Sequence, residues 1–313
     1  TGLQSSRFGP VMDVMEAAMT ETRLTCCLTF DFDAMSVWIG SYKSVNPSEI
    51  SRGEFGAVAI ARILDLLARH DLPGTFCIPG HTAYAYPDLV KRIHDAGHEI
   101  AHHGWVHENP ADFDEAGERA NMEKGFEALH ASCGVRPVGY RSPAWDFSER
   151  TTEILQEFGF LYDSSLMGDD YTPYYMRSGD RAPADAPYTF GSLIDIVELP
   201  VSWTLDDFPY FELDSSGGGL KSASHVEEIW RDEFSFAHGH VPGGIYNLTM
   251  HPQVIGRGHR LMMLERLIGF FKEHEGVRFD TLGGYAISWR EANTLEAWRS
   301  SDSVHVPAAE SRR

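Results

Sequence analysis

Cysteine and basic residues are both scarce in this chain of 313 residues. None of the four cysteines belongs to a CxxC pair, and four are too few for a disulfide scaffold of this length, so a reducing compartment fits. Only 26 basic residues stand against 46 acidic ones, which gives a net charge of −20. Because such a surface repels phosphate groups and anionic lipids, nucleic acids and membrane surfaces are poor candidates as partners.

Long apolar runs are also missing, since no stretch approaches the roughly 18 residues that indicate a transmembrane helix. The first 20 residues do not resemble a signal peptide either, because Asp13 and Glu16 fall where its apolar region would have to lie. We therefore predict a cytoplasmic protein. Since the chain begins with Thr1 instead of methionine, an upstream targeting segment stays open.

The composition is typical of a globular protein, with 42% apolar and 23% charged residues. The length suits either two ordinary domains or one α/β barrel. Short β-rich runs alternate with helical patterns, and about seven such units favour a single barrel. The predicted strands are 24–30, 74–78, 99–103, 137–140, 160–162, 196–203, 246–250 and 277–282, and the predicted helices are 55–70, 87–96, 113–131, 148–158, 225–237 and 260–272.

This pattern divides the chain into an N-terminal extension over 1–20, one α/β barrel over 21–299 and a flexible tail over 300–313. Within the barrel, residues 163–193 are rich in Asp, Ser, Gly, Pro and Tyr, which is typical of long surface loops. We expect this segment and residues 205–224 to cap a pocket at the end of the barrel.

Polar side chains directly follow several of the predicted strands. Asp31 and Asp33 follow the first strand, and as residues i and i+2 of an extended chain they face the same side. His103 and His107 follow the third strand, four residues apart, so one turn would direct both imidazoles to a common point. Each pair has an ordinary alternative, namely a cap or turn for the aspartates and chance spacing for the histidines. Because the carboxyl ends of barrel strands converge, the four together favour a catalytic metal site.

Two further polar residues, Arg141 and His251, also follow predicted strands. With them, four segments resemble the motifs of the polysaccharide deacetylase (NodB-homology) family, in the order of that family and over residues 24–281. The segments are LTFDFD (28–33), EIAHHGWVHE (99–108), YRSPAW (140–145) and LTMHP (248–252). The resemblance implies a distorted (β/α)7 barrel in a single domain, and metal-dependent hydrolysis of a non-peptide C–N bond.

The resemblance also implies a role for each residue of the set. Asp31 would be the base that takes a proton from metal-bound water, and Arg141 would keep it ionised and oriented. His251 would protonate the leaving nitrogen. Taken alone, Arg141 could be a plain ion pair and His251 a loop histidine. The ligands of the divalent metal would be Asp33, His103 and His107, with zinc as the default ion and Co, Ni or Mn also suited to such a site.

The sequence departs from the commonest family pattern at Phe32, which separates aspartates that are usually adjacent. This spacing, the HGxxH form and the segment LPVSWTLDDFPYF (199–211) resemble a subgroup that contains the Helicobacter-type peptidoglycan deacetylase and metal-independent allantoinases and cyclic-imide hydrolases. Because this chain retains an aspartate and both histidines, we expect metal binding to persist. Relatives in this subgroup are typically tetramers, so the resemblance implies a homotetramer.

Three functions stay open at this point. The first is the removal of N-acetyl groups from amino-sugar substrates, and the second is the hydrolysis of a small cytosolic cyclic imide or ureide. The third is a non-catalytic binding protein, which the complete set of motif residues argues against. An open groove across the metal would favour a polymer, whereas a closed pocket would favour a small molecule, and we predict a closed pocket.

The remaining candidates have structural interpretations beside functional ones. Strand alternation turns His102 away from His103, and His98 suits a turn between a helix and a strand. Asp206 or Asp207 could tune His251. Four aromatic residues could stack on a sugar ring but are more often core residues: Trp38, Tyr140, Trp145 and Trp203.

Overall fold

The strand β1 (Leu24–Asp31) is buried at every position, as expected of a parallel strand with neighbours on both sides. It belongs to a nine-stranded sheet in a computed structural model that describes residues 22–213 and 219–307. The other strands of the described ranges are β2 (Thr75–Ile78), β3 (Glu99–His102), β4 (Gly139–Tyr140), β5 (Tyr162–Asp163), β6 (Tyr174–Ser178), β7 (Ser192–Glu198), β8 (Gly244–Met250) and β9 (Val277–Phe279).

Seven of these strands follow the order β7-β5-β4-β3-β2-β1-β8, in which every neighbouring pair is parallel. β6 pairs antiparallel with β7 at one edge, and the short β9 pairs with the first half of β1. This curled sheet of a single domain confirms the predicted distorted (β/α)7 barrel. Because the parallel strands all point the same way, their carboxyl ends lie at one end of the barrel.

Helices cover the outside of the sheet. Those of the described ranges are α1 (Ser36–Gly40), α2 (Pro47–His70), α3 (Gly80–Ala85), α4 (Pro87–Asp95), α5 (Glu115–Cys133), α6 (Thr151–Phe158), α7 (Phe208–Phe211), α8 (Ala223–His240), α9 (Pro252–Ile255), α10 (Gly258–Lys272), α11 (Leu282–Ala292) and α12 (Leu295–Arg299). Across these described residues, no helix combines the length and the apolar character needed to cross a membrane.

The two faces of β1 have different surroundings. Leu28 and Phe30 belong to the large apolar cluster that the sheet forms with the covering helices. Thr29 and Asp31 face the opposite way, as alternation along a strand requires, and there they contact the buried Arg141. The inner face of the sheet near its carboxyl end is therefore polar, and this is the end at which the predicted site residues lie.

Some predicted boundaries were wrong for local reasons. The predicted helix 55–70 begins at Pro47, because the Asn46 side chain accepts a hydrogen bond from Ser48 N and proline occupies the first helical position. The predicted strand 196–203 is β7, which ends at Glu198, and the chain then leaves the sheet. Residues 163–193, predicted as surface loops, contain β6 and the start of β7, which form an antiparallel pair.

The predicted N-terminal extension (1–20) lies outside the described residues, as do the last six residues of the predicted tail. The described part of that tail contacts the domain. Val306 is buried beside β7, and the ring of His305 stacks on Tyr174 at a centroid distance of 4.1 Å. The division of the chain at residue 299 stays a prediction.

Candidate metal centre

Asp33 lies at the centre of the predicted site, and the structure brings both predicted histidines to it. Its Oδ1 atom is 3.4 Å from His103 Nε2 and 3.8 Å from His107 Nε2. All three side chains are buried, and their ligand atoms lie within 4.8 Å of one another. Asp33 follows β1 and the histidines follow β3, so the parallel sheet places these residues together at its carboxyl end.

The hydrogen bonds of both imidazoles leave their Nε2 lone pairs directed at Asp33. His103 Nδ1 donates to the main-chain oxygen of Arg141 at 2.6 Å. His107 Nδ1 lies 2.6 Å from Ser41 Oγ, and the Ser41 hydroxyl in turn donates to His107 O at 2.8 Å, so the imidazole is the donor in that pair. With the protons on Nδ1, each Nε2 is free to act as a ligand.

This arrangement suits a divalent cation. Asp33 Oδ1 and His103 Nε2 are buried and, among the described atoms, have no hydrogen-bond partner. Buried polar atoms without partners are costly, and a cation between them would satisfy both. Two neutral imidazoles and a carboxylate are the donor set of open catalytic zinc sites.

The electrostatics of the site favour the proton-free forms of Asp33 and His107. Burial lowers the pKa of His107 to about 4. Burial acts to raise the pKa of Asp33, but the imidazoles of His107, His103 and His251 outweigh it and lower that pKa to about 2. For His103, burial is outweighed by Asp31 and Asp33, which raise the pKa. The neighbouring imidazoles therefore favour the ionised form of the Asp33 carboxylate.

Asp31 is held by a buried guanidinium. Arg141 Nη1 donates to Asp31 Oδ1 at 2.8 Å and to Thr29 Oγ1 at 2.8 Å, while Nε donates to Ser164 O at 3.0 Å. Arg141 is fully buried, so this ion pair is shielded from solvent. The other oxygen, Asp31 Oδ2, lies 3.9 Å from His103 Nε2 and therefore faces the metal centre.

His251 follows β8 and approaches the centre from the other side. Its Nε2 lies 3.7 Å from Asp33 Oδ2, and its Nδ1 donates to Asp207 Oδ1 at 2.7 Å. Burial acts against the charged imidazole, but the carboxylates of Asp206 and Asp207 outweigh burial and raise its pKa to about 10. His251 thus carries a proton in surroundings that favour the imidazolium form.

A second group, Asp206, Asp207 and His251, also has ligand atoms within 4.8 Å of one another. This group does not suit a cation, because the His251 Nδ1 proton already occupies Asp207 Oδ1, which also accepts from His251 N at 3.0 Å. Asp206 Oδ1 accepts from Phe208 N at 2.7 Å. The group is therefore a hydrogen-bonded support for His251.

A cavity of about 170 Å³ opens onto these residues. Asp31, His107 and His251 line its floor, and the rest of the lining is mostly apolar or aromatic. The remaining lining residues are Val37, Ser41, Tyr42, Ala144, Trp145, Trp203, Asp206 and Phe208. The cavity is a small pocket, and the prediction that it is closed stays a prediction. The expectation that residues 163–193 cap it was wrong, because none of them lines it, whereas Asp206 and Phe208 come from the predicted 205–224 segment.

Comparisons with known proteins bear on this site. A family model described as polysaccharide deacetylase matches residues 49–162. The peptidoglycan deacetylase of Helicobacter pylori is 36% identical over 278 residues, which cover 84% of this chain and 95% of that protein. The chain belongs to the polysaccharide deacetylase family. Deacetylases of this family act on amide C–N bonds, so the chain is a hydrolase of carbon–nitrogen bonds other than peptide bonds, as the motifs predict.

Solved structures agree with this membership. A Mycobacterium smegmatis protein described as a polysaccharide deacetylase is 34% identical and superposes with a TM-score of 0.76, covering 87% of this chain and 92% of that chain. Puue allantoinase, at 22% identity and a TM-score of 0.72, shares the fold over 88% of this chain and 93% of its own. The family is metal-dependent, and the Asp33 group supplies a candidate site for the ion.

The other sequence candidates have separate places in the fold of this family member. His102 points away from the metal centre, since its Nε2 donates to Met122 O at 3.0 Å and its Nδ1 accepts from Gly104 N, which supports the structural interpretation. His98 is buried against Phe76 beside the start of β3. Trp38 and Tyr140 are core residues.

Two of the aromatic candidates do line the pocket. The rings of Trp145 and Trp203 lie 4.2 Å apart by centroid, and Trp203 is 47% exposed. Trp145 and the preceding Ala144 both have a positive φ, a conformation that costs energy in residues other than glycine. The segment after Arg141 thus places the Trp145 indole at the pocket in a backbone conformation that is unfavourable for residues other than glycine.

Sequence reasoning missed Ser41 and Gln253. Ser41 supports His107 from 66 residues away, and Gln253 Nε2 donates to Asp33 Oδ2 at 3.4 Å. No local pattern marks Ser41, because its role depends on the loop that follows α1. Gln253 could have been noticed, since it lies two residues after His251 and directly follows the final motif.

Proposed function

We propose that the chain removes N-acetyl groups from amino-sugar units in a reaction that depends on a divalent metal ion. The observation that carries this proposal is the pair of unpartnered buried atoms, Asp33 Oδ1 and His103 Nε2, with His107 Nε2 beside them. The Helicobacter pylori relative, named as a peptidoglycan deacetylase, supports an acetylated amino sugar as the substrate.

Asp33, His103 and His107 would hold the ion, and zinc is the ion that we propose. When bound, it supplies Lewis acidity, which makes water more acidic and polarises an amide carbonyl. The two histidines keep their Nε2 lone pairs toward the ion's position, because Nδ1 of each imidazole already donates a hydrogen bond.

Asp31 would act as the general base. Its Oδ1 is held by Arg141 at 2.8 Å, so Oδ2 is the oxygen directed at the metal centre. From there Asp31 can accept the proton that the attacking water loses. The buried guanidinium is itself held by further hydrogen bonds to Thr29, Ser164 and Asn247, which fix the orientation of the base.

His251 would act as the general acid. It lines the pocket, and its Nδ1 is bound to Asp207, so the proton on Nε2 is directed away from that support. Donation of this proton to the departing nitrogen lets the amine leave as a neutral group. Asp207 favours the imidazolium form before transfer, as a carboxylate behind a histidine does in other hydrolases.

The pocket also supports a second candidate function, the hydrolysis of a cyclic imide or ureide. Its small volume and aromatic lining suit a compact ring, and the allantoinase structure shares the fold. The same residues would serve both reactions, because each breaks an amide C–N bond with water.

The expected homotetramer and cytoplasmic location also belong to this proposal. Sedimentation velocity tests the first, since a single species at the monomer mass of 35.0 kDa would contradict it. Fractionation of cells that carry the intact gene tests the second, and recovery outside the cytoplasm would contradict it.

The decisive experiment measures metal content and hydrolysis on the same preparations. Wild type, His103→Ala and the exposed-site control His130→Ala are each assayed with an N-acetylglucosamine oligomer and with a cyclic imide. We expect one metal ion per chain in wild type and control, lost in His103→Ala together with release of acetate. Hydrolysis of the imide alone would select the second candidate. A metal-free wild type that still opens the imide would overturn the ligand assignment.

A further inference from the structure

Gln253 is a buried glutamine with only one side of its amide satisfied. It lies in α9, two residues after His251, and its Nε2 donates to Asp33 Oδ2 at 3.4 Å. The reverse amide orientation would place two oxygens against each other, so the N–H group faces the carboxylate. The other amide atom, Gln253 Oε1, is buried and has no hydrogen-bond partner among the described atoms. Leaving such a buried group without a partner is unfavourable, and an apolar side chain of similar length would avoid that cost.

The two oxygens of Asp33 have separate surroundings. Oδ1 faces Nε2 of His103 and of His107, whereas Oδ2 faces Gln253 Nε2 and, at 3.7 Å, His251 Nε2. The orientation of the carboxylate decides which oxygen lies between the histidines. A donor on Oδ2 therefore fixes the oxygen that remains for a cation.

We infer that Gln253 is a positioning residue of the divalent-cation site, which holds Asp33 Oδ2 and so presents Oδ1 toward the histidine pair. The inference rests on the metal site of the proposed function and adds a residue to it. With Gln253 included, each ligand has one supporting partner, since Arg141 O binds His103 and Ser41 binds His107. Loss of such a supporting partner weakens metal affinity by about 10–100-fold in metalloenzymes.

The test compares wild type with Gln253→Met, which keeps the side-chain length and removes the donor. Gln156→Met is the matched control, because Gln156 is exposed and its amide donates to Thr152 O within its own helix. Cobalt(II) is the probe. Its dissociation constant is measured by competition with a chromophoric chelator, and its visible absorption spectrum is recorded on each loaded protein without substrate.

We expect the cobalt dissociation constant of Gln253→Met to be about 10–100-fold higher than that of wild type. Its cobalt spectrum should also change, because the Asp33 carboxylate is then free to rotate. Gln156→Met should match wild type in both measurements. In an Asp33→Ala background, Gln253→Met should have no further effect on affinity. Gln253→Glu is the second variant, in case Gln253→Met does not fold. It keeps the shape but lacks the N–H donor, and we again expect an altered spectrum.

Wild-type affinity and a wild-type spectrum in a folded Gln253 variant would overturn the inference. An equal loss of affinity on Gln253→Met in the presence and absence of Asp33 would also overturn it, because the effect would then not act through that carboxylate. Since no substrate takes part in these measurements, a failure of the proposed deacetylase activity would be detected separately, in the acetate assay.

Discussion

His251 and Asp207 are joined by two hydrogen bonds to one carboxylate oxygen, from His251 N at 3.0 Å and from His251 Nδ1 at 2.7 Å. The main-chain bond fixes the aspartate relative to the strand end, and the side-chain bond fixes the ring relative to the aspartate. Asp206 lies farther away, with its Oδ1 atom 3.6 Å from His251 Nδ1. The neighbouring aspartates therefore differ in role, since Asp207 orients the imidazole and Asp206 acts on it through charge.

Asp207→Asn should lower kcat by about 100-fold, because the amide keeps the shape but supplies no charge to stabilise the imidazolium form of the general acid. Loss of a carboxylate lowers the pKa of His251, so the alkaline limb of the kcat profile should move to lower pH. Asp206→Asn is the comparison. It should move the limb in the same direction with a smaller loss of kcat, since it removes no hydrogen bond to the ring. Equal losses in the two variants would contradict the assignment.

Arg141 and Asp31 form a buried pair in which each partner depends on the other. Arg141→Met should lower the free energy of unfolding by about 3–5 kcal/mol, because it leaves the Asp31 carboxylate buried without a counter-charge. Adding Asp31→Asn to this variant should recover part of the loss, since the uncompensated charge is then gone. Urea unfolding of the metal-free proteins measures both values. Strictly additive effects of the two substitutions would show that the pair is not coupled.

Chelation should destabilise the wild-type protein. When the free concentration of the ion is 100 times its dissociation constant, binding adds about 2.7 kcal/mol to the free energy of unfolding. This contribution is lost when the ion is removed. Thermal unfolding with and without chelator measures the effect as a fall in Tm. Asp33→Ala should show no such fall, whereas Asp88→Ala, at an exposed helix position, should behave as wild type does. A fall in Tm of equal size in Asp33→Ala would place the ion elsewhere.

Local sequence patterns predicted the parts of the site that depend on strand ends. Asp31 and Asp33 alternate about a buried Phe32, and the parallel sheet brings them to His103 as the strand pattern requires. Contacts between distant segments were not predictable in this way. Ser41 follows a five-residue helix that has no clear period, and it meets His107 only because the two loops pack together.

The same limit applies to the sheet edge and the pocket lining. β6 lies in a segment whose glycines, prolines and aspartates are typical of loops, and its pairing with β7 depends on tertiary contacts that a local pattern does not contain. Trp203 lies just beyond β7 in a predicted strand, yet a short 3-10 turn places it at the pocket. The proposed metal ligands were therefore easier to predict than the residues that line the substrate pocket.

Asp163 and Glu198 are adjacent on neighbouring strands and share a buried site inside the barrel. Burial raises the pKa of Asp163 to about 6, and burial together with the charge of Asp163 raises the pKa of Glu198 well above its usual value. One oxygen of each carboxyl group, Asp163 Oδ2 and Glu198 Oε2, has no other partner among the described atoms. A proton on this pair is therefore part of the folded state at neutral pH.

Because these pKa values are raised by folding, the native state binds more protons than the unfolded chain between about pH 4 and the native pKa values. The stability that the pair contributes is complete below pH 4 and is lost as the pH rises through about 6 and above.

The free energy of unfolding should thus fall as the pH rises, by up to about 1.4 kcal/mol per pH unit for each proton. Asp163→Asn places an amide N–H where the shared proton lies, so its stability should depend less on pH between 5 and 8. Denaturant unfolding across this range, with Asp88→Asn as the exposed control, measures both slopes, and equal slopes in Asp163→Asn and wild type would contradict a shared proton.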